Sequence, residues 1–117
     1  MKWDNPYVSI QSKMESLQRW LIVHAHIYYN YNNNVVTDKM WDDNAYQLVD
    51  MKKQYPKTYK KTFYYPVMND FDGSTGFDLF DRLQKWNKEH SDYLDTIASH
   101  VVRQAGKNGK KVAKREK

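Results

Sequence analysis

Apolar residues recur along the N-terminal third of the chain at helical spacing. Ile10, Met14, Leu17, Leu21, His24, Tyr28 and Tyr31 follow one another at steps of four and three, which places them on one face of an α-helix. Ser12 followed by Glu15 offers a capping box for its start, and Asn5-Pro6 offers an earlier one. The polar run Asn30-Tyr31-Asn32-Asn33-Asn34 ends the helix, because Asn tolerates left-handed backbone and favours turns. A second helix is predicted from Thr37 to Gln54. Thr37 is its N-cap, Asp38 stands in its first turn, Trp41, Ala45, Leu48 and Val49 form its buried face, and Tyr55-Pro56 stops it. The two helices form an antiparallel hairpin that brings Tyr28 and Tyr29 near Asp38 and Trp41.

Beyond the hairpin the pattern changes. Thr62-Phe63-Tyr64-Tyr65-Pro66-Val67-Met68 is β-prone, and Pro66 demotes it to an edge strand or a packed loop. Asn69-Asp70-Phe71-Asp72-Gly73-Ser74-Thr75-Gly76 reads as a turn-rich loop. Helical spacing resumes with Asp78 as N-cap and Leu79, Leu83 and Trp86 behind it. It continues through Leu94, Ile97 and Val101, with a break near His90-Ser91 where Ser91 would cap a new helix. The expected fold is therefore mostly α and single-domain over residues 1–102. A helical hairpin spans about 10–56, a β-prone connector 57–77 and a C-terminal helical segment 78–102.

Charge adds a second division. The chain carries +5 overall, yet residues 103–117 hold seven Lys and Arg against the single Glu116, so the remainder is close to neutral. Residues 103–117, with Gly106 and Gly109 and few apolar side chains, are expected to be a flexible basic tail. Lys107, Lys110, Lys111, Lys114 and Arg115 are its candidate nucleic-acid contacts, acting through phosphates in a salt-sensitive way. The absence of cysteine excludes disulfides, thiol nucleophiles and cysteine zinc sites. No apolar run approaches the roughly 20 residues of a membrane span, and the N-terminus lacks a signal-peptide pattern, so a cytoplasmic location is expected. Ten Tyr, four Trp and four Phe make the chain rich in aromatics, and those between positions 59 and 71 are too dense to be loop filler. Tyr59, Phe63, Tyr64, Tyr65 and Phe71 are either cover for the hairpin or partner contacts, and the core role is expected for Phe63 and Phe71.

Tyr28-Tyr29, the loop from Asn30 to Thr37, then Asp38, Trp41 and Asp42, and the helix ending Gln54-Tyr55-Pro56 together resemble a known module. It is domain Ia, the N-terminal helical domain of bacterial NAD-dependent DNA ligases. The resemblance covers roughly residues 17–56, with Trp41 where the family usually has Tyr. It implies that Tyr28, Tyr29, Asp38, Trp41 and Asp42 contact the nicotinamide mononucleotide half of NAD. Their chemistry suits that ligand: aromatic faces attract a cationic pyridinium at about 0.5–2 kcal/mol each, and carboxylates add Coulomb attraction. The ligase nucleophile motif Lys-x-Asp-Gly is missing. Asp70 stands where the lysine would be in Asp70-Phe71-Asp72-Gly73, and too few residues follow position 56 for an adenylation domain. No enzymatic activity is expected.

Other chemistry is weaker. Asp70, Asp72 and Ser74 imitate the start of a calcium loop, but Thr75 and Asp81 stand where such a loop needs Gly and Glu. Gly73, Ser74, Thr75 and Gly76 form a candidate anion-binding turn. His24 and His26 fall on different helix faces, so no metal site is expected and no resident cofactor is implied. The expected function is non-catalytic capture of an NAD-related nucleotide. Stand-alone modules of this kind also resemble small phage and mobile-element proteins, which implies an anti-defence or host-interaction role in a host cytoplasm. The alternative is inhibition of a host defence nuclease by protein–protein contact, as anti-CRISPR proteins do. A further one is accessory nucleic-acid binding through the tail.

Overall fold

The computed structural model describes residues 9–33 and 35–107, with the side chain of Lys107 left aside. The fold is mostly α, and no strand occurs among the described residues. Six helices follow in order: α1 Ile10–Asn30, α2 Asp38–Gln54, α3 Pro56–Tyr59, α4 Tyr65–Met68, α5 Leu79–Trp86 and α6 Lys88–Lys107.

Helix α1 is the central element. It packs against α2, α3, α5 and α6, and it buries Ile22, Val23, His26 and Ile27 besides the expected Met14, Leu17 and Leu21. A single stripe therefore understates its burial, because neighbours cover it on several sides. Its cap is Ser9, whose hydroxyl accepts from Ser12 N at 3.1 Å, so Ser12 does not start the helix, and Asn5-Pro6 lies outside the described residues. Glu15 reaches sideways instead and accepts from Phe63 N at 2.9 Å. The turn after α1 uses Asn32 in left-handed backbone, φ 52°, as the Asn run suggests. Thr37 caps α2 as expected, accepting from Met40 N at 3.1 Å.

The β-prone connector is helical and looped instead. Pro56 and Pro66 sit in the first turns of α3 and α4, where a missing N–H costs nothing. Burial of Tyr59, Thr62, Tyr64, Val67 and Met68 follows no alternation of two, so β propensity yields to packing over α1. The Tyr59 hydroxyl donates to Met68 O at 2.7 Å and ties the two short helices together. Tyr59, Tyr64 and Phe71 are buried, whereas Phe63 is 43% exposed, which corrects its expected core role.

The C-terminal segment is two helices. Their break falls at Asn87, earlier than His90-Ser91, because the Asn87 side chain accepts from His90 N at 3.0 Å and so caps α6. Ser91 lies buried inside α6. Asp78 flanks α5 but makes no capping bond, since its carboxylate accepts from Arg82 Nε at 3.0 Å. Helix α6 runs to Lys107, so residues 103–107, assigned above to the tail, are helical. His26, buried in α1, is bonded through Nε2 to Asp95 at 2.8 Å and stacks on Phe80 at 3.5 Å, joining α1 to α5 and α6.

Candidate functional site

Where α1 ends and α2 begins, the hairpin leaves a cavity of about 270 Å³, closed on its third side by residues 74–76. Tyr28, Tyr29, Asp38, Trp41 and Asp42 all line it, as do Ser74, Thr75 and Gly76. The helix geometry explains the convergence. Asp38, Trp41 and Asp42 stand at i, i+3 and i+4 in the first turns of α2 and share one face. Tyr28 and Tyr29 occupy the last turn of α1, edge to face at 4.8 Å, and Tyr29 meets Phe77 in the same way at 5.3 Å.

Trp41 is held from three directions. Its indole N–H donates to Leu21 O at 3.2 Å, its ring meets Phe71 edge to face at 6.2 Å, and Gly76 lies against its far edge. A Cβ on Gly76 would come within 2.8 Å of both Ala25 Cβ and Trp41 Cζ2, so only glycine lets the loop close over the cavity. Gly73 does not line the cavity. Its φ of +87° makes the turn that carries Ser74 to Gly76 across.

That loop has internal uses for its donors. Ser74 N and Oγ both donate to Asp72 Oδ1, at 2.9 and 2.6 Å, and Phe77 N donates to Thr75 Oγ1 at 3.1 Å. These bonds hold the Asp72 carboxyl below the usual carboxylate range, and its charge occupies the place an external anion would take. Asp70, the first position of the calcium-like pattern, is bonded to Arg82 through Nη1 at 2.6 Å. No group of three His, Cys, Asp or Glu among the described residues is arranged to hold a metal ion. Of the candidate nucleic-acid contacts, Lys107 ends α6, while Lys110, Lys111, Lys114 and Arg115 lie outside the described residues.

The residue missed in the sequence is His24. The sequence places it on the packing stripe of α1 and gives it no metal partner in His26, yet it lines the cavity one turn before Tyr28. Its i, i+4 relation to Tyr28 is the signal that pointed there. The imidazole leans on Trp20 at 4.5 Å, and its Nδ1 is buried without a partner. Burial pushes its pKa down to about 4, so the ring is neutral at pH 7. Comparison with family models, curated proteins and solved structures finds no match to this chain.

Two outcomes follow from this geometry. Gly76→Ala is expected to lower stability by about 1–3 kcal/mol through overpacking and to shift the loop off the cavity, which a chemical denaturation curve measures. Stability is also expected to fall in two acid windows. The unfolded chain takes up a proton at His24 below about 6.5, whereas the folded chain resists until about 4, so stability declines as pH falls through that interval. Asp95 acts lower: its hydrogen bond with His26 depresses its pKa, so the stability it contributes is lost as pH drops below the usual carboxylate range. Melting temperatures of His24→Gln and Asp95→Asn against pH separate the windows. His24→Gln flattens the upper one, and Asp95→Asn reduces the lower, to which Asp70 and Asp72 also contribute.

Proposed function

We propose that this chain is a non-catalytic binding protein whose hairpin cavity captures a nicotinamide-bearing nucleoside or nucleotide. The observation that carries this reading is convergence: five residues singled out by the ligase-Ia resemblance surround one cavity. The materials of the walls suit the ligand. Tyr28, Tyr29 and Trp41 offer aromatic faces to a cationic ring, and Asp38 and Asp42 offer carboxylates to its charge or to ribose hydroxyls. A cavity of about 270 Å³ accommodates a pyridinium ring and part of its sugar, which leaves the rest of a dinucleotide in solvent. Sequestering such a molecule is consistent with an anti-defence role in a phage or mobile element. Calorimetry with nicotinamide mononucleotide, nicotinamide riboside and NAD is expected to give saturable one-to-one heat. Absence of heat from all three at millimolar ligand, with the protein folded, contradicts the reading.

A second reading has its own support. Phe63, Trp86 and Tyr93 are 43%, 41% and 56% exposed and meet around His90, with Phe63 5.2 Å from Trp86 and 4.8 Å from His90. Exposed Trp and Tyr on one aromatic cluster are the residue types that carry interface energy, which favours inhibition of a host protein by direct contact. In that case Trp86→Ala abolishes capture of the partner while leaving the melting temperature nearly unchanged.

A further inference from the structure

The charges around the hairpin cavity are one-sided. Asp38 and Asp42 line it, and no Lys or Arg among the described residues does. His24 contributes no positive charge, being neutral at pH 7. The loop that closes the third side carries Asp72, whose carboxylate already takes the Ser74 amide and hydroxyl. Three cations on the flanking elements are committed elsewhere. Lys39 is bonded to Asp43 at 2.8 Å, and Lys52 donates to Asn69 O and Phe71 O at 3.0 and 3.2 Å. Arg82 is bonded to Asp70 and Asp78.

A site with aromatic walls, two carboxylates and no compensating cation among the described residues that line it attracts a positive ring and repels a phosphate. We propose that the cavity selects a phosphate-free pyridinium cation, an N-ribosyl or N-alkyl pyridinium, over the corresponding mononucleotide. The proposal rests on the nicotinamide reading and narrows it to a ligand charge. A 5′-phosphate turns a ligand of charge +1 into one of net negative charge near pH 7, since a phosphate monoester carries about −1.5 to −2. Attraction to both carboxylates then becomes net repulsion.

The test compares nicotinamide riboside with nicotinamide mononucleotide, which differ only by the phosphate, by calorimetry on the full chain at low and at physiological salt. The riboside is expected to bind about tenfold tighter or more at low salt. Its affinity falls as salt is added, while that of the mononucleotide rises or stays level, because screening weakens attraction and repulsion alike. Asp38→Asn/Asp42→Asn, two substitutions at exposed positions, is expected to erase the riboside's advantage. Equal or tighter binding of the mononucleotide overturns the proposal while leaving the nicotinamide reading in place. So does a riboside advantage that persists in the double variant. Absence of binding by either ligand overturns both.

Discussion

Replacing Trp41 by alanine is expected to cost about 3 kcal/mol of stability and to abolish ligand capture. The stability loss reflects a half-buried indole whose removal leaves a hole between α1, α2 and the closing loop. Removing a large aromatic side chain from such a position forfeits both its transfer energy and the contacts around the void. Three specific losses add to it: the hydrogen bond to Leu21 O, the edge-to-face contact with Phe71, and the surface on which Gly76 rests. Trp41→Phe separates the two roles. It keeps an aromatic wall but removes the N–H donor, so it should retain part of the binding at reduced stability. Urea denaturation beside ligand calorimetry on both variants measures each effect. Full binding by folded Trp41→Ala would show that the indole is packing alone.

Phe71→Ala and Tyr64→Ala are each expected to destabilise the fold by about 3–5 kcal/mol, because both side chains are buried, at 6% and 3% exposure. Phe71 sits behind Trp41, so its loss should also loosen the cavity wall. Tyr64 sits between Phe63 and His90, and its hydroxyl is 2.8 Å from His90 Nε2 across the junction of the connector with α6. Phe63→Ala is the contrast: at 43% exposure its truncation should cost no more than about 1 kcal/mol. Melting curves for the three variants test this ordering. A Phe63→Ala protein as unstable as Phe71→Ala would place Phe63 in the core after all.

The parts of the fold readable from the sequence are those where local chemistry and tertiary packing agree. The seven-residue stripe from Ile10 to Tyr31 and the Thr37 cap specify α1 and α2, and the hairpin follows from the short Asn-rich turn. The connector reads as β-prone from its residue types, yet Tyr, Phe, Thr and Val favour strands only where a partner strand exists. Here α1 and α5 offer apolar surfaces and no backbone edge, so α3 packs on the one and α4 on the other in short turns. Ser91 resembles a cap and so draws the expected break past Asn87, yet its hydroxyl bonds back to Lys88 O at 2.7 Å inside the helix.

The candidate site divides along similar lines. Tyr28, Tyr29, Asp38, Trp41 and Asp42 lie on two consecutive helices, so their meeting needed only the hairpin. That residues 74–76 would close the third side was not readable, because it depends on how α3 and α4 route the chain back past α1. Once that route is known, Gly76 explains itself as the one residue type that fits between Ala25 and Trp41. His24 was concealed by its own stripe, since a histidine among core positions reads as packing.

The measurement that bears most directly on the hairpin cavity as a binding site is a titration of nicotinamide riboside followed by the indole N–H resonances of the tryptophans. Trp41 lines the cavity, Trp20 leans on His24 behind it, and Trp86 lies in the exposed aromatic cluster on the α5–α6 side. Saturable shifts of Trp41, with smaller ones at Trp20 and none at Trp86, are the expected result. A response confined to Trp86, or no response at millimolar ligand from a folded protein, would contradict it.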